Sequence, residues 1–254
     1  MSGEKTTALA LVGDVGGYAV MQGNPQDLGQ AIFENLAGDG VSQFDLFRIK
    51  VPSGGGVFFN IPSLDNPDGE QVKELLGVII YHQINRTYWE NPNPVQGTLP
   101  DCSSSDGTTG VARPDGSGPG GTCAFCPLNA FGSSQKAGAK GKACKESKSI
   151  YFLTPDTLIP LIVSAPPTSL ANYRKYMLAL AGKQRRYDSV VTSITLAQAV
   201  NPGGQAYSEM VFTYKGLIPE AQRNLLAPYR EGIINTVNKV ITESPGNNGT
   251  DVPF

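Results

Sequence analysis

The sequence predicts a single β-rich α+β domain with a long inserted loop. Its 254 residues include 30 glycines and 19 prolines, and only 17% are charged, which is typical of a chain with many turns and short strands. Apolar residues make up 40% of the chain, enough to bury a core. Strand-like segments lie on both sides of a Gly-, Ser- and Pro-rich stretch at residues 91–149, which predicts the insertion.

The segments before the insertion alternate between helical and strand-like patterns. Apolar residues at helical spacing mark the first of them, and β-branched and aromatic residues mark the others. The predicted elements are a helix at 24–37, strands at 44–51 and 57–61 around the glycine turn 52–56, one helical turn at 72–76 and a long strand at 77–89.

The segments after the insertion complete the predicted fold. They are strands at 150–153 and 158–163, a helix from Thr168 or Ser169 to Gly182, strands at 189–200 and 206–214, and a last helix from Pro219 to about Thr242. Five to seven strands with an internal helix predict an OB-like five-stranded barrel with peripheral helices. We expect one domain at residues 1–242 and a flexible tail at 243–254.

The four cysteines of the chain all lie in the insertion. They are Cys102, Cys123, Cys126 and Cys144. The close pair Cys123 and Cys126 can supply two corners of a tetrahedron, and the other two thiolates can close it, so the spacing predicts one structural zinc ion. Metal binding would stabilise a loop that has few apolar residues of its own. Two disulfides and a redox-active Cys-x-x-Cys remain as alternatives.

Groups that carry catalysis are scarce in this sequence. His82 is the only histidine, and it lacks the His-x-Glu context that a zinc deaminase needs. A single histidine also disfavours a Ser-His-Asp mechanism, and no phosphate-binding loop occurs. We therefore expect a protein that is not an enzyme, with a metal-dependent nuclease as the alternative that scattered acidic residues leave open.

Basic and aromatic residues are interleaved along the chain, although its net charge is −2. Lysine and arginine attract phosphates, and aromatic rings stack on bases, so this combination predicts a single-stranded nucleic-acid interface. Because strand neighbours point to opposite faces, only one of Phe58 and Phe59, and one of Tyr88 and Trp89, can face such a groove. The candidate contacts are Arg48, Lys50, Phe58, Phe59, Arg86, Tyr88, Trp89, Lys136, Lys140, Lys142, Lys145, Arg174 and Lys175. Solvated charged faces and core aromatics are the alternatives.

The chain ends in Asp251, Val252, Pro253 and Phe254. This sequence resembles the acidic Asp-Ile-Pro-Phe tip of bacterial single-stranded DNA-binding proteins. The resemblance implies that the tip recruits enzymes of replication, repair and recombination. An ordinary frayed terminus is the alternative.

A second resemblance covers roughly residues 45–180. Its motifs are Arg-Ile-Lys-Val-Pro-Ser-Gly-Gly-Gly at 48–56, Gly-Val-Ile at 77–79, Cys-Ser-Ser at 102–104, Asp-Gly at 106–107, the Cys-x-x-Cys-Pro run at 123–127, Asn129, Gly-Ser at 132–133 and Gly-Lys-Ala-Cys at 141–144. These resemble a group of phage and prophage proteins. In plan the chain is similar to phage single-stranded DNA-binding proteins with an OB core and an inserted zinc loop.

Together these observations predict a non-enzymatic single-stranded DNA-binding protein of phage replication and recombination. A zinc-stabilised assembly protein that docks other proteins is the rival. No apolar run is long enough to cross a membrane, so the host cytoplasm is the expected location.

Overall fold

The computed structural model describes residues 25–38, 41–42, 44–62, 66, 68–95, 97–134, 140–155 and 157–243, which form a strand-rich α+β fold. The α-helices of this part of the chain are α1 (Pro25–Asn35), α2 (Leu170–Gly182) and α3 (Glu220–Glu243). The strands are β1 (Arg48–Lys50), β2 (Phe59–Ile61), β3 (Glu70–Val72), β4 (Glu74–Tyr88), β5 (Cys102–Ser104), β6 (Thr109–Ala112), β7 (Gly121–Thr122), β8 (Lys145–Leu153), β9 (Leu161–Ala165), β10 (Val190–Val200) and β11 (Ala206–Leu217).

Strand β4 is the longest strand described and organises the main sheet. Its residues 78–87 pair antiparallel with β8. Residues 74–77 pair antiparallel with β10, and residues 86–88 pair with β5. One strand therefore joins the insertion, the β8–β9 pair and the β10–β11 hairpin.

The main sheet has nine strands in the order β1-β9-β8-β4-β5-β6-β7, with β10 and β11 attached through β4. Its pairs are antiparallel except for β1 with β9, which is parallel. Strands β2 and β3 form a separate two-stranded sheet. Within the described ranges no strand pairing closes the main sheet into a barrel.

The two faces of the sheet support two apolar cores. The first lies under α2, whose Tyr173, Tyr176 and Leu180 follow helical spacing and pack on the sheet. The second lies under α3, which contributes Leu226 and packs Tyr229 and Ile233 against the opposite face. Because both faces are covered here, β4 carries the continuous apolar run 78–80.

Helix α2 is fixed to the β10–β11 hairpin by hydrogen bonds. The Ser169 hydroxyl accepts the backbone N–H of Met210 at 2.9 Å, and the Asn172 side chain donates to the Met210 carbonyl at 3.1 Å. The hydroxyls of Tyr176 and Thr192 are 2.7 Å apart in the core. These bonds satisfy polar groups at the buried helix–sheet contact.

The structure confirms the strand-rich α+β class and most of the expected elements, but it differs from the prediction in several places. The insertion, expected as a loop, contains β5, β6 and β7, and β3 occupies residues where no strand was predicted. Residues 74–76, expected within a helical turn, belong to β4, because their pairing with β10 outweighs local propensity. Strand β8 begins at Lys145, inside the expected insertion. The expected OB-like five-stranded barrel is not confirmed, because no closed barrel is found among the described residues. No described helix is both long enough and apolar enough to cross a membrane.

Replacing Gly77 with alanine should destabilise the fold. A Cβ at Gly77 would lie 2.3 Å from the Leu153 carbonyl oxygen and 2.6 Å from the Phe152 ring, so β4 and β8 would have to separate. We expect a loss of about 2 kcal/mol in the free energy of unfolding, measured with urea. The control Gly141→Ala, with no atom within 4 Å of its Cβ, should change stability by less than about 0.5 kcal/mol. Equal stability of the two variants would contradict the close approach.

Candidate nucleic-acid interface

A row of polar side chains crosses four strands on the side of the sheet opposite α2. The strand registers align Lys50 with Ser164, Ser164 with Ser149, and Ser149 with Gln83. Because side chains alternate along a strand, these four share one face, while their neighbours in β1, β9 and β8 enter the core under α2. We call this row, with the surrounding Arg48, Asn85, Thr87, Trp89, Lys145 and Ser147, the polar face.

Two buried atoms of the polar face have no hydrogen-bond partner in the described part of the chain. They are Oε1 of Gln83, a residue only 9% exposed, and Oγ of Ser164. Buried polar atoms are nearly always hydrogen-bonded, because losing water without a replacement is costly. The row therefore offers an acceptor and a hydroxyl to a ligand that lies across the strands.

A groove of about 190 Å³ continues the polar face beyond the end of β4. Trp89 and Lys145 line it together with Ser134 and Ala143 of the insertion. The Trp89 indole N–H donates to the Thr98 carbonyl at 3.2 Å, which fixes the orientation of the ring. An aromatic ring beside an ammonium group is the pairing that suits a stacked base and its phosphate.

The polar face unites four of the predicted DNA contacts. Arg48, Lys50, Trp89 and Lys145 lie on it, and Lys50 and Lys145 are exposed. Alternation places them together although they are far apart in sequence.

The other predicted contacts lie elsewhere. Phe59 is fully buried in the core and Tyr88 is only 7% exposed, so neither ring is available to a base. Their neighbours Phe58 and Trp89 are the accessible members of each pair, as the alternation rule requires, and the Lys73 ammonium lies 5.5 Å from the centroid of the Phe58 ring. Arg174 and Lys175 are exposed on α2, on the opposite side of the sheet.

The insertion holds the remaining predicted contacts. Lys140 is exposed and Lys142 half-buried, whereas Lys136 lies outside the described residues. The terminal residues Asp251, Val252, Pro253 and Phe254 also lie outside them.

Arg86 fastens the insertion to the sheet, so its guanidinium is already engaged. Its Nε donates to the Gly107 carbonyl at 3.0 Å, and its Nη1 donates to Asn129 Oδ1 at 2.7 Å. Its Nη2 pairs with Glu146 at 2.9 Å. Asn129 in turn donates to the Cys123 carbonyl at 2.9 Å, so a single arginine connects two separate segments of the loop to β4. This half-buried position gives Arg86 a structural role.

The predicted zinc site is wrong. Cys102, Cys123, Cys126 and Cys144 do line one small cavity, but no group of three or more His, Cys, Asp or Glu side chains in the described ranges is arranged to hold a metal ion. All four cysteines are free thiols, so the disulfide alternative is not observed either. Burial raises the pKa of Cys144 to about 11 and also raises the pKa of Cys102. The four cysteines lie around one cavity, but their spacing in the sequence does not determine whether their thiols are arranged to bind a metal ion.

Hydrogen bonds hold the insertion in the conformation that a metal was expected to fix. The Asp106 carboxylate accepts from the Ser104 hydroxyl, from the Thr108 N–H and hydroxyl, and from the Thr109 N–H, at 2.6 to 2.9 Å. The Ser133 hydroxyl donates to the Leu128 carbonyl at 2.8 Å. Polar side chains thus satisfy the backbone of a loop with little apolar core.

His82 is packed as a core residue. Its ring meets the edges or faces of Tyr173 and Tyr187 at centroid distances of 5.6 and 4.9 Å. Burial, aided by the charges of Lys148 and Arg230, lowers the pKa of His82 to about 4. The imidazole is therefore neutral at pH 7.

Sequence reasoning missed two aromatic side chains of the insertion. Phe125 is 89% exposed and Phe131 is 83% exposed, and the Lys142 ammonium lies 5.0 Å from the centroid of the Phe131 ring. Their signal was present: each is a large apolar residue in an otherwise polar, glycine-rich segment, where no core is available to bury it.

No protein-family model, curated protein or solved structure matches this chain.

Replacing Asp106 with asparagine should give a pH-dependent loss of stability. Burial raises the pKa of Asp106, but hydrogen bonds from Thr108, Thr109 and Ser104 outweigh it and hold the pKa at about 2, below the ordinary 3.8. The ionised carboxylate therefore stabilises the folded state above about pH 4, and this contribution disappears as the pH falls towards 2. We expect Asp106→Asn to cost about 1–2 kcal/mol at pH 7 and almost nothing near pH 2.

Urea unfolding at pH 7, 4, 3 and 2 measures this difference. The exposed Asp68→Asn is the matched control and should show no comparable pH-dependent gap. A gap at Asp106 that is constant with pH would contradict the proposed role of its charge.

Proposed function

We propose that this chain binds single-stranded DNA without catalysing a reaction, and that it serves phage replication or recombination. The observation that carries the proposal is the polar face, where Arg48, Lys50 and Lys145 flank a row of uncharged polar side chains that ends at Trp89. Lysine and arginine attract the phosphate backbone through counterion release, without reading the sequence of bases. Trp89 offers a ring on which a base of any type can stack.

The strand order supports an OB-like reading of the sheet, as an open rather than a closed barrel. Strand β4 pairs with both β8 and β10, α2 lies between β9 and β10 in sequence, and β10 and β11 form a hairpin. In an OB barrel, the face of the second and third strands and the loops after the first and fourth strands bind oligonucleotides. The equivalent parts here are the β8–β9 face, the insertion and the turn at 201–205. The β8–β9 face forms part of the polar face, and the insertion adjoins it.

The side chains of the polar face favour binding with little preference for the sequence of bases. Two of its serines and Gln83 provide short hydrogen-bonding groups between flanking cations. Serine hydroxyls contact sugars, phosphates or base edges without the bidentate geometry that selects a base, and the Gln83 amide, which could pair in this way with adenine, is only 9% exposed. We therefore expect binding governed by strand length and salt more than by sequence.

The terminal tip is proposed as a docking signal for replication or recombination enzymes. Phe254 carries an apolar ring and Asp251 a carboxylate, and a partner pocket with a cation at its mouth can hold both groups. A docking signal on a DNA-binding protein raises the effective concentration of the recruited enzyme at the DNA.

Binding of oligo-dT should quench the fluorescence of Trp89, the only tryptophan of the chain. Affinity should fall steeply as salt rises, and duplex DNA should bind more weakly. Lys50→Gln and Lys145→Gln should each weaken binding at low salt and reduce the slope of log K against log salt by about 1. Lys183→Gln is the control, because Lys183 follows the end of α2 on the other side of the sheet.

The outcomes separate the candidate functions. No preference for the single strand, or no dependence on salt, would contradict DNA binding by the polar face. Absence of nucleic-acid affinity together with a defined protein partner would favour the assembly role. Mg²⁺-dependent degradation of the oligonucleotide would indicate a nuclease instead.

Deleting residues 251–254 should leave oligo-dT affinity unchanged or slightly higher, because a weakly acidic competitor for the basic groups is removed. The same deletion should abolish capture of a replication or recombination enzyme that recognises such tips. Pull-downs with the full chain and the truncated chain, at matched concentrations, test this. Recovery of the same enzymes by both proteins means that the tip is not a docking signal.

A further inference from the structure

We infer that Phe125 and Phe131 of the insertion are base-stacking platforms that extend the path of single-stranded DNA beyond the sheet. The inference rests on the proposed function and adds a second contact region to it. Four properties of the two phenylalanines support it: their exposure, the rigidity of their backbone, the neighbouring cations and the groove that leads to them.

The exposure of the two rings has an energetic cost. Burying a phenylalanine side chain is worth about 1.5–3 kcal/mol, and these two remain 89% and 83% exposed. The neighbouring Leu128 is half-buried, so the loop can shield apolar groups but leaves these rings in water. Exposed aromatic rings in a polar loop indicate a binding surface.

The backbone that carries the rings is held in place. Phe125 ends the 3-10 helix Cys123–Phe125, and the second 3-10 helix Pro127–Asn129 follows directly. Asn129 bonds to Arg86, to Lys142 and to the Cys123 carbonyl. The backbone N–H of Cys144 donates to the Leu128 carbonyl at 2.9 Å, which ties the segment to the start of β8. Rings on a fixed backbone lose little entropy when a base stacks on them.

A cation lies beside Phe131 and indicates the class of ligand. The Lys142 ammonium lies 5.0 Å from the centroid of the Phe131 ring, while Lys140 and Lys145 are exposed and follow in the chain. The acids that flank this segment in sequence, Asp115 and Glu146, are paired with Arg113 and Arg86. The surroundings are therefore positive, which suits a polyanion whose bases present flat apolar faces. An apolar protein segment has no negatively charged groups that could pair with these lysines.

The Trp89 groove connects the polar face with the insertion. Ser134 and Ala143 line its far wall, and the Ala143 N–H donates to the Ser133 hydroxyl at 2.9 Å, close to Phe131 in the chain. A strand that is bound along the polar face and continues past Trp89 therefore meets the insertion. Stacking on the insertion should lengthen the occupied site, because it adds bases to those held by the sheet.

The experiment compares the full chain with Phe125→Ala, Phe131→Ala and the double variant, using oligo-dT of increasing length and Trp89 quenching as readout. Each single variant should bind long oligo-dT about tenfold more weakly, and the double variant should occupy fewer nucleotides per protein. Short oligo-dT that fills only the Trp89 groove should bind all variants equally. Phe131→Tyr, which keeps the ring, should retain affinity, and Phe33→Ala removes an exposed phenylalanine of α1 as the control.

Each result has one meaning. If the unmodified chain fails to bind oligo-dT, the proposed function itself is overturned. If it binds but the alanine variants match it in affinity and site size, the proposed function stands and this inference fails. If the variants keep DNA affinity but lose a protein partner, the rings dock protein and the inference also fails. Unchanged urea unfolding of the variants confirms that their backbone is intact.

Discussion

The close antiparallel pairing of β4 with β8 is the constraint on which the rest of the structure depends. At Gly77 the two strands approach so closely that a Cβ would meet the backbone of Leu153. Beyond this contact the register shifts once, between Ile79 and Tyr81, and then assigns each later residue of both strands to one face or the other. A slip of one residue would send Ser149 and Gln83 into the core under α2 and expose its apolar residues to water. The polar face exists because this register is fixed.

The same two strands also determine where the insertion sits. The insertion follows β4 after Tyr88 and ends where β8 begins at Lys145, so its ends are held one strand spacing apart, while its strands β5, β6 and β7 extend the same sheet. Arg86, on the face opposite the polar face, then binds the loop at Gly107 and Asn129. Arg86 therefore stabilises the fold rather than binding a ligand. Removing its side chain would leave several polar groups of a half-buried site without hydrogen-bond partners. Arg86 of β4 and the accessible Lys145 of the neighbouring β8 lie on opposite faces of the sheet.

Much of the fold follows from sequence pattern, whereas the site follows only in part. The runs at 77–89, 189–200 and 206–214 combine β-branched and aromatic residues, and all three are strands. Alternation correctly requires one member of each aromatic pair to be buried, yet it cannot say which one, because that depends on which face the core occupies. Closure of a barrel and the arrangement of four thiols depend on contacts between distant segments. Local spacing carries no information on them, so the OB-like barrel is not confirmed and the predicted zinc site is wrong.

The chain has a net charge of −2, but its charges are unevenly distributed in the structure. Several carboxylates are paired with cations within the fold: Asp188 with Arg186 and Arg230, Asp101 with Arg113, and Glu74 with Lys215. Charges separated by more than about 8–10 Å are largely screened at physiological salt, so a ligand responds to the groups beside it rather than to the total. On the polar face, the uncharged residues that lie across the strands between Lys50 and Lys145 are serine, threonine, asparagine and glutamine. An acidic chain can therefore present a positive surface, provided that its acids are engaged elsewhere.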